Sequence, residues 1–238
     1  MLQVTHLTVK VGDKKILKDF SFDFQRGKIY AVMGPNGSGK STLAHTMMGN
    51  PVYTVNGRSK MVFKGENITK LDATRRSEKG MFLSFQSPLS LSGVKLHQLL
   101  QFATNGKKDP LTLRRETVKI AKELRIKEEL LTRSLNEGAS GGEKKKLEVL
   151  QAAALERDFI IFDEVDTGVD VDALRTISTY LHKHRKGKTY ILITHYNRIL
   201  KYLKPDRVLV LVDGKLTKVG DKRLARTIEK NGYQGLSS

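Results

Sequence analysis

The sequence predicts an α/β fold: a mostly parallel core sheet, an antiparallel β region at the N-terminus and an inserted helical subdomain. Three observations carry this. Short apolar runs at Lys28 to Met33, Phe159 to Phe162, Thr189 to Thr194 and Arg207 to Val212 are separated by helical stretches such as Val171 to His184. Alternation of that kind is how crossover-connected parallel strands read. Thr5 to Val11 and Ser21 to Phe24 alternate apolar and polar residues around a turn at Gly12-Asp13, which predicts an antiparallel pair. From about Pro88 to Leu155 strand signals fade and helical spacing takes over, at Leu96, Leu99, Leu100 and Ala103 and then at Val118, Ala121 and Leu124. Residues 1–87 and 156–238 are therefore expected to form the core, with 88–155 inserted as a helical subdomain of one domain. At 238 residues the chain is long enough to bury a full core. The tail from Gly232 reads as frayed.

Composition narrows the function classes. No apolar stretch approaches the roughly 18–20 residues of a spanning helix, and Met1 to His6 has neither the basic nor the long apolar region of a signal peptide. Without cysteine there is no disulfide and no thiolate metal site, which fits a cytoplasmic protein. The formal charge of +18 invites a nucleic-acid partner. The lysines are spread along the chain, however, and are not interleaved with stacking aromatics. A solvated, lysine-rich surface is the expectation, with no nucleic acid bound and no direct membrane insertion.

Chemistry concentrates in two glycine-rich motifs. The first, Gly34-Pro35-Asn36-Gly37-Ser38-Gly39-Lys40-Ser41-Thr42, follows the strand at Lys28 to Met33 and precedes a helix read over Ser41 to Met48. Its glycines let backbone N–H groups turn toward phosphates, and the helix presents its positive end to the anion. Lys40 is placed to neutralise the β- and γ-phosphates and Ser41 to ligate Mg2+. ATP with Mg2+ is thus the expected cofactor pair. Asp163 ends a buried strand beside this loop, where it can hold the metal; Glu164, one residue on, is placed to polarise an attacking water. The second motif is Ser140-Gly141-Gly142-Glu143 at the start of a helix. One active site has little use for two separated phosphate loops, whereas two copies packed head to tail would each receive the other's second loop.

Ser140-Gly141-Gly142 with Asp163-Glu164 downstream resembles the signature and Walker B regions of ABC-type ATPases, and further elements match in order. The resemblance implies the ABC-type ATPase fold, a P-loop, RecA-like core. It makes Gln86 the Q-loop glutamine, which contacts metal and catalytic water, and gives Asp166 to Asp170 the D-loop that crosses a dimer interface. It makes His195 the switch histidine at the γ-phosphate. His6, His45, His97, His182 and His184 match nothing. Details of the signature (Ala139 to Gln151), the D-loop through Leu174, Ser87-Pro88 and Thr194-His195-Tyr196 are similar to the ATPases of the SUF iron–sulfur cluster assembly system, almost end to end.

That similarity implies an ATP-hydrolysing motor that docks on SufB-like and SufD-like scaffold proteins and dimerises with a second copy when ATP is bound. The isolated subunit is expected to be a monomer. Other readings of the same motifs are the nucleotide-binding subunit of a membrane transporter and a nucleic-acid-binding regulator. Val9, Val11 and Gly12 stand where transporter ATPases usually carry an adenine-stacking aromatic. Two regulatory residues are expected: Asp170 in the D-loop, and Lys145, pairing with Glu164 to hold the catalytic carboxylate away from the site.

Overall fold

The structure is a computed structural model and describes residues 1–194 and 198–233. The chain opens as a hairpin of β1 (Leu2–Val11) and β2 (Lys14–Phe24), with Leu2 opposite Phe24 and Val11 opposite Lys14. The second strand starts seven residues earlier than its alternation announced, directly after the Gly12-Asp13 turn. β3 (Ile29–Met33), buried throughout, runs into the phosphate loop and α1 (Lys40–Met47). β4 (Thr54–Val55), β5 (Lys60–Phe63) and β6 (Glu66–Asn67) extend the first sheet in the order β2-β1-β5-β6, with β4 beside β1. α2 (Ala73–Glu78) then leads to β7 (Met81–Ser84).

The stretch read as purely helical holds α3 (Leu96–Thr104), α4 (Pro110–Glu123), α5 (Glu129–Thr132) and α6 (Gly141–Ala154). It also holds two strands, β8 (Leu91–Lys95) and β9 (Ser134–Leu135), paired antiparallel. The leucine–serine alternation from Leu89 to Ser92 that leads into β8 is too short to stand out against the helices that follow, and β9 spans two residues only. Of the spaced apolar residues, Leu96 and Leu100 of α3, Ala121 of α4 and Leu124 at its end are buried, Leu99 and Val118 are half-buried, and Ala103 is exposed.

The remainder alternates β10 (Phe159–Asp163), α7 (Val171–Lys183), β11 (Thr189–Ile193), α8 (Arg198–Tyr202), β12 (Arg207–Val212), β13 (Lys215–Gly220) and α9 (Lys222–Asn231). These strands join β3 and β7 in a six-stranded sheet of order β13-β12-β3-β11-β10-β7, parallel except between β12 and β13. Both faces are covered at the centre of this sheet, so β3, β10 and β11 are buried throughout rather than alternating, whereas the edge strand β13 stays open to solvent. Ile29, Ala31 and Met33 pack with residues of the helical layer, whereas Tyr30 and Val32 pack with Leu2, Leu17 and Phe24 of the N-terminal sheet. The phosphate loop leaves the sheet between these two cores. Beyond α9, Tyr233 is packed against the core, and its hydroxyl accepts a hydrogen bond from the Gly34 N–H at 3.0 Å. The tail is thus docked as far as Tyr233.

The far end of α1 is anchored by Arg76, which is 2% exposed. It donates to the carbonyls of Thr46 (2.8 Å) and Met47 (2.9 Å) from α1, and to those of Leu71 (2.8 Å) and Thr69 (3.1 Å). Burial pulls the guanidinium down to about 10. A cation there also answers the negative end of the helix. Arg76→Met should leave these carbonyls without donors and lower unfolding stability by about 3 kcal/mol. Urea titration reads this as a lower midpoint at unchanged slope; an unchanged midpoint would show that the anchor contributes nothing.

Candidate nucleotide-binding and catalytic site

The loop from Gly34 to Gly39 joins β3 to α1, with Gly39 as the helix N-cap. Lys40 is buried and donates to the carbonyls of Gly34 and Pro35, both at 2.9 Å. Burial pulls its ammonium down to about 8, against the opposing pull of Glu164 and Asp163. The Ser41 hydroxyl donates to Asp163 Oδ1 at 3.3 Å, so two of the three expected metal ligands face each other, while the third, Gln86, is turned to Glu164. Burial pushes the Asp163 carboxyl up, with the Ser41 hydrogen bond opposing. A hard divalent cation, which takes oxygen ligands, fits this pair of a half-buried hydroxyl and a buried carboxylate.

Glu164 follows the strand in a left-handed backbone conformation (φ 52°), and its N–H donates to the Ile193 carbonyl at 2.9 Å. Gln86 Nε2 donates to Glu164 Oε2 at 2.7 Å, and the Thr167 hydroxyl donates to the same oxygen at 3.2 Å. A cavity of about 670 Å³ collects these groups: Asn36, Gly37, Gly39 to Thr42, Gln86, Glu164 and Thr167. Lys14 and Ile16 complete its wall, whereas the sequence pointed to Val9, Val11 and Gly12. Val9 is buried in the hairpin instead. The start of β2, hidden by the late onset of its alternation, would have revealed both residues.

Ser140, Gly141, Gly142 and Glu143 do not line that cavity. Ser140 caps α6: its hydroxyl accepts from the Glu143 N–H at 3.2 Å, and its own N–H donates to Glu143 Oε2 at 2.9 Å. The two glycines have a reason within their own chain to be small. A Cβ on Gly141 would stand 2.5 Å from the Gly168 carbonyl oxygen, and one on Gly142 would stand 2.8 Å from Asp170 Oδ2. Asp170 caps α7 by accepting from the Ala173 N–H at 2.8 Å, and this holds its carboxyl below the usual range. Signature and D-loop are thus packed together in one subunit. Asp166, buried, accepts from the Thr194 hydroxyl on both oxygens at 2.9 Å. His195 lies outside the described residues.

The expected pairing of Lys145 with Glu164 is not formed. Lys145 is buried within α6, 3.1 Å from Glu148 one turn along, and donates to the Phe85 carbonyl. The closer carboxylate on its own helix takes the ammonium, while Gln86 and Thr167 engage Glu164. Glu148, which sequence reading passed over, accepts hydrogen bonds from the Ser84 hydroxyl (2.6 Å) and the Phe85 N–H (2.9 Å).

This geometry has counterparts among known proteins. The family described as ABC transporter matches residues 17–167. The chain belongs to the ABC-type ATPase family. It is 41% identical over 249 residues, 100% of this chain and 99% of the relative, to "Probable ATP-dependent transporter SufC" of Escherichia coli (strain K12). It is 39% identical to "Probable ATP-dependent transporter ycf16" of Trieres chinensis over 248 residues, 99% of this chain and 97% of the relative. Among solved structures, a nucleotide-free ATP-binding cassette superposes with a TM-score of 0.80 at 21% identity, covering 100% of this chain and 98% of that one. A dimeric cassette in a post-hydrolysis state with ADP and Pi superposes with a TM-score of 0.79 at 20% identity, covering 94% of this chain and 99% of that one. The ABC ATPase fold expected from the motifs is the fold observed.

For this ATPase the state of Lys40 sets a pH dependence. Below about pH 8 the free chain carries Lys40 as a cation, and above it as a neutral amine. Phosphate favours the cation, so binding at higher pH must draw in a proton. Calorimetry of ADP binding in buffers of different ionisation enthalpy should show proton uptake rising from near zero at about pH 7 toward one per site at about pH 9. Affinity should fall by up to about tenfold per unit above the pKa. Uptake that does not change with pH would contradict this role for Lys40.

Proposed function

We propose that the chain is the ATP-hydrolysing motor of an iron–sulfur cluster assembly scaffold of the SufBCD type, working in the cytoplasm by ATP-driven head-to-tail dimerisation. The observation that carries the reading is the incompleteness of the cavity. It gathers the phosphate loop, Gln86 and Glu164 but no signature residue, while Ser140 and Gly141 lie exposed elsewhere. A second copy would supply Ser140 to Glu143 and the positive end of α6 to the γ-phosphate. Full-length similarity to a relative printed as SufC supports the assembly context. Among the described residues no helix is long and apolar enough to cross a membrane.

In this reading the N–H groups from Asn36 to Ser41 wrap the phosphates. Lys40 leaves the Gly34 and Pro35 carbonyls to neutralise them. Ser41 and Asp163, with Gln86, would hold Mg2+, which supplies charge neutralisation at the β- and γ-phosphates. Glu164 orients and polarises the attacking water, and the γ-phosphate also meets His195. Lys14 and Ile16 offer the aliphatic wall on which the base rests in the absence of an aromatic. Binding two nucleotides joins the copies, and loss of the γ-phosphate releases them; work on the scaffold comes from that difference in affinity. Residues 88–155 act as the helical subdomain that meets the scaffold, and Asp170 tunes the D-loop by fixing the start of α7.

Native co-purification of the tagged full chain from its own host, without detergent and followed by mass spectrometry, tests the partner assignment. SufB-like and SufD-like proteins should elute with it. Integral membrane proteins recovered only with detergent would move the chain to a transporter instead. Nucleic acid with ribosomal proteins would make it a regulator that exploits its basic surface.

A further inference from the structure

Gln86 reaches Glu164 from the end of β7, an edge strand of the six-stranded sheet that stops at Ser84. The next residue, Phe85, is 48% exposed, so its side chain anchors little. Its backbone is held from α6 instead. Glu148 accepts from the Phe85 N–H (2.9 Å) and the Ser84 hydroxyl (2.6 Å). Lys145 donates to the Phe85 carbonyl and lies 3.1 Å from Glu148 Oε2. Both polar groups of the peptide backbone immediately before Gln86 are therefore fixed by a single ion pair, whose side chains are 3% and 6% exposed.

We propose that Lys145 and Glu148 are positioning residues for ATP hydrolysis: their buried pair fixes the root of the Q-loop to the signature helix and thereby sets where Gln86 meets Glu164. Stability alone is a poor reason for such a pair, because well-packed apolar residues of similar volume commonly serve as well or better. What apolar residues cannot do is grip the N–H and C=O of Phe85 together. Precision at that point matters, since a displacement of about 1 Å at a catalytic group can cost on the order of a hundredfold in rate. The proposal rests on the roles of Gln86 and Glu164 given above.

The test is a mutant cycle on the full chain, measuring kcat, nucleotide Kd and urea midpoint. Lys145→Met/Glu148→Leu replaces the pair without leaving a lone buried charge. It should bind ADP within about twofold of the original chain while kcat falls about tenfold or more. Glu148→Gln, which keeps an acceptor oxygen, should restore part of the loss when it is the only change. Gln86→Ala should cost about as much alone, yet add little to the double variant, because groups acting through one contact are not additive. An unchanged kcat, or losses that multiply, would overturn the proposal. Should the double variant not fold, the cycle of Glu148→Gln with Gln86→Ala decides by the same criterion. A Gln86→Ala variant with full activity would overturn both this inference and the catalytic role assigned to Gln86.

Discussion

A buried cation held by two carbonyls of the phosphate loop is the constraint around which this molecule is organised. Lys40 sits in a site that disfavours its charge, held by two loop carbonyls and by the field of Asp163 and Glu164. Such an arrangement is costly in the free chain and becomes favourable when a polyphosphate arrives. It requires the loop to be rigid, and the fold supplies that rigidity from several directions. β3 is buried on both faces, Arg76 anchors the far end of α1, and the Tyr233 hydroxyl engages the Gly34 N–H.

Charge is distributed with the same logic. The chain carries +18 overall, yet Asp163, Glu164, Asp166, Asp170 and Asp172 fall within a single stretch between β10 and the first turn of α7. The first four have different tasks set by their neighbours. Asp163 faces Ser41, Glu164 is engaged by Gln86 and Thr167, Asp166 receives Thr194, and Asp170 caps α7. Burial pushes Asp163 and Asp166 up, whereas the helix N-terminus holds Asp170 down. A uniformly basic surface can attract nucleotide, but this local reversal of sign is what suits a metal cation.

Contiguous features were legible in the sequence. The phosphate loop, the strand ending in Asp163-Glu164 and the alternation of strands and helices are local patterns, and the structure has them where they were read. What escaped depends on tertiary neighbours. Lys145 could be assigned a carboxylate partner only by guessing which of two nearby helices and strands came closer; Glu148, three residues along its own helix, takes it. The glycine-rich second motif was read only as a phosphate loop for a partner, but Gly141 and Gly142 must also be small to pack against the D-loop of their own chain. Lys14 and Ile16 reach the cavity because β2 begins before its alternation becomes visible. Tyr233 docks by packing on the core and by a hydrogen bond to Gly34, far away along the chain, which no periodicity announces.

The central claim is that the nucleotide site is completed by a second copy. Light scattering on size-exclusion chromatography of Glu164→Gln, with and without ATP and Mg2+, tests it most directly when paired with a turnover assay. The account predicts a monomer without nucleotide and a dimer holding two ATP molecules with it, together with hydrolysis lost by about a hundredfold or more. A variant that binds ATP yet stays monomeric, or one that turns over at the original rate, would contradict it.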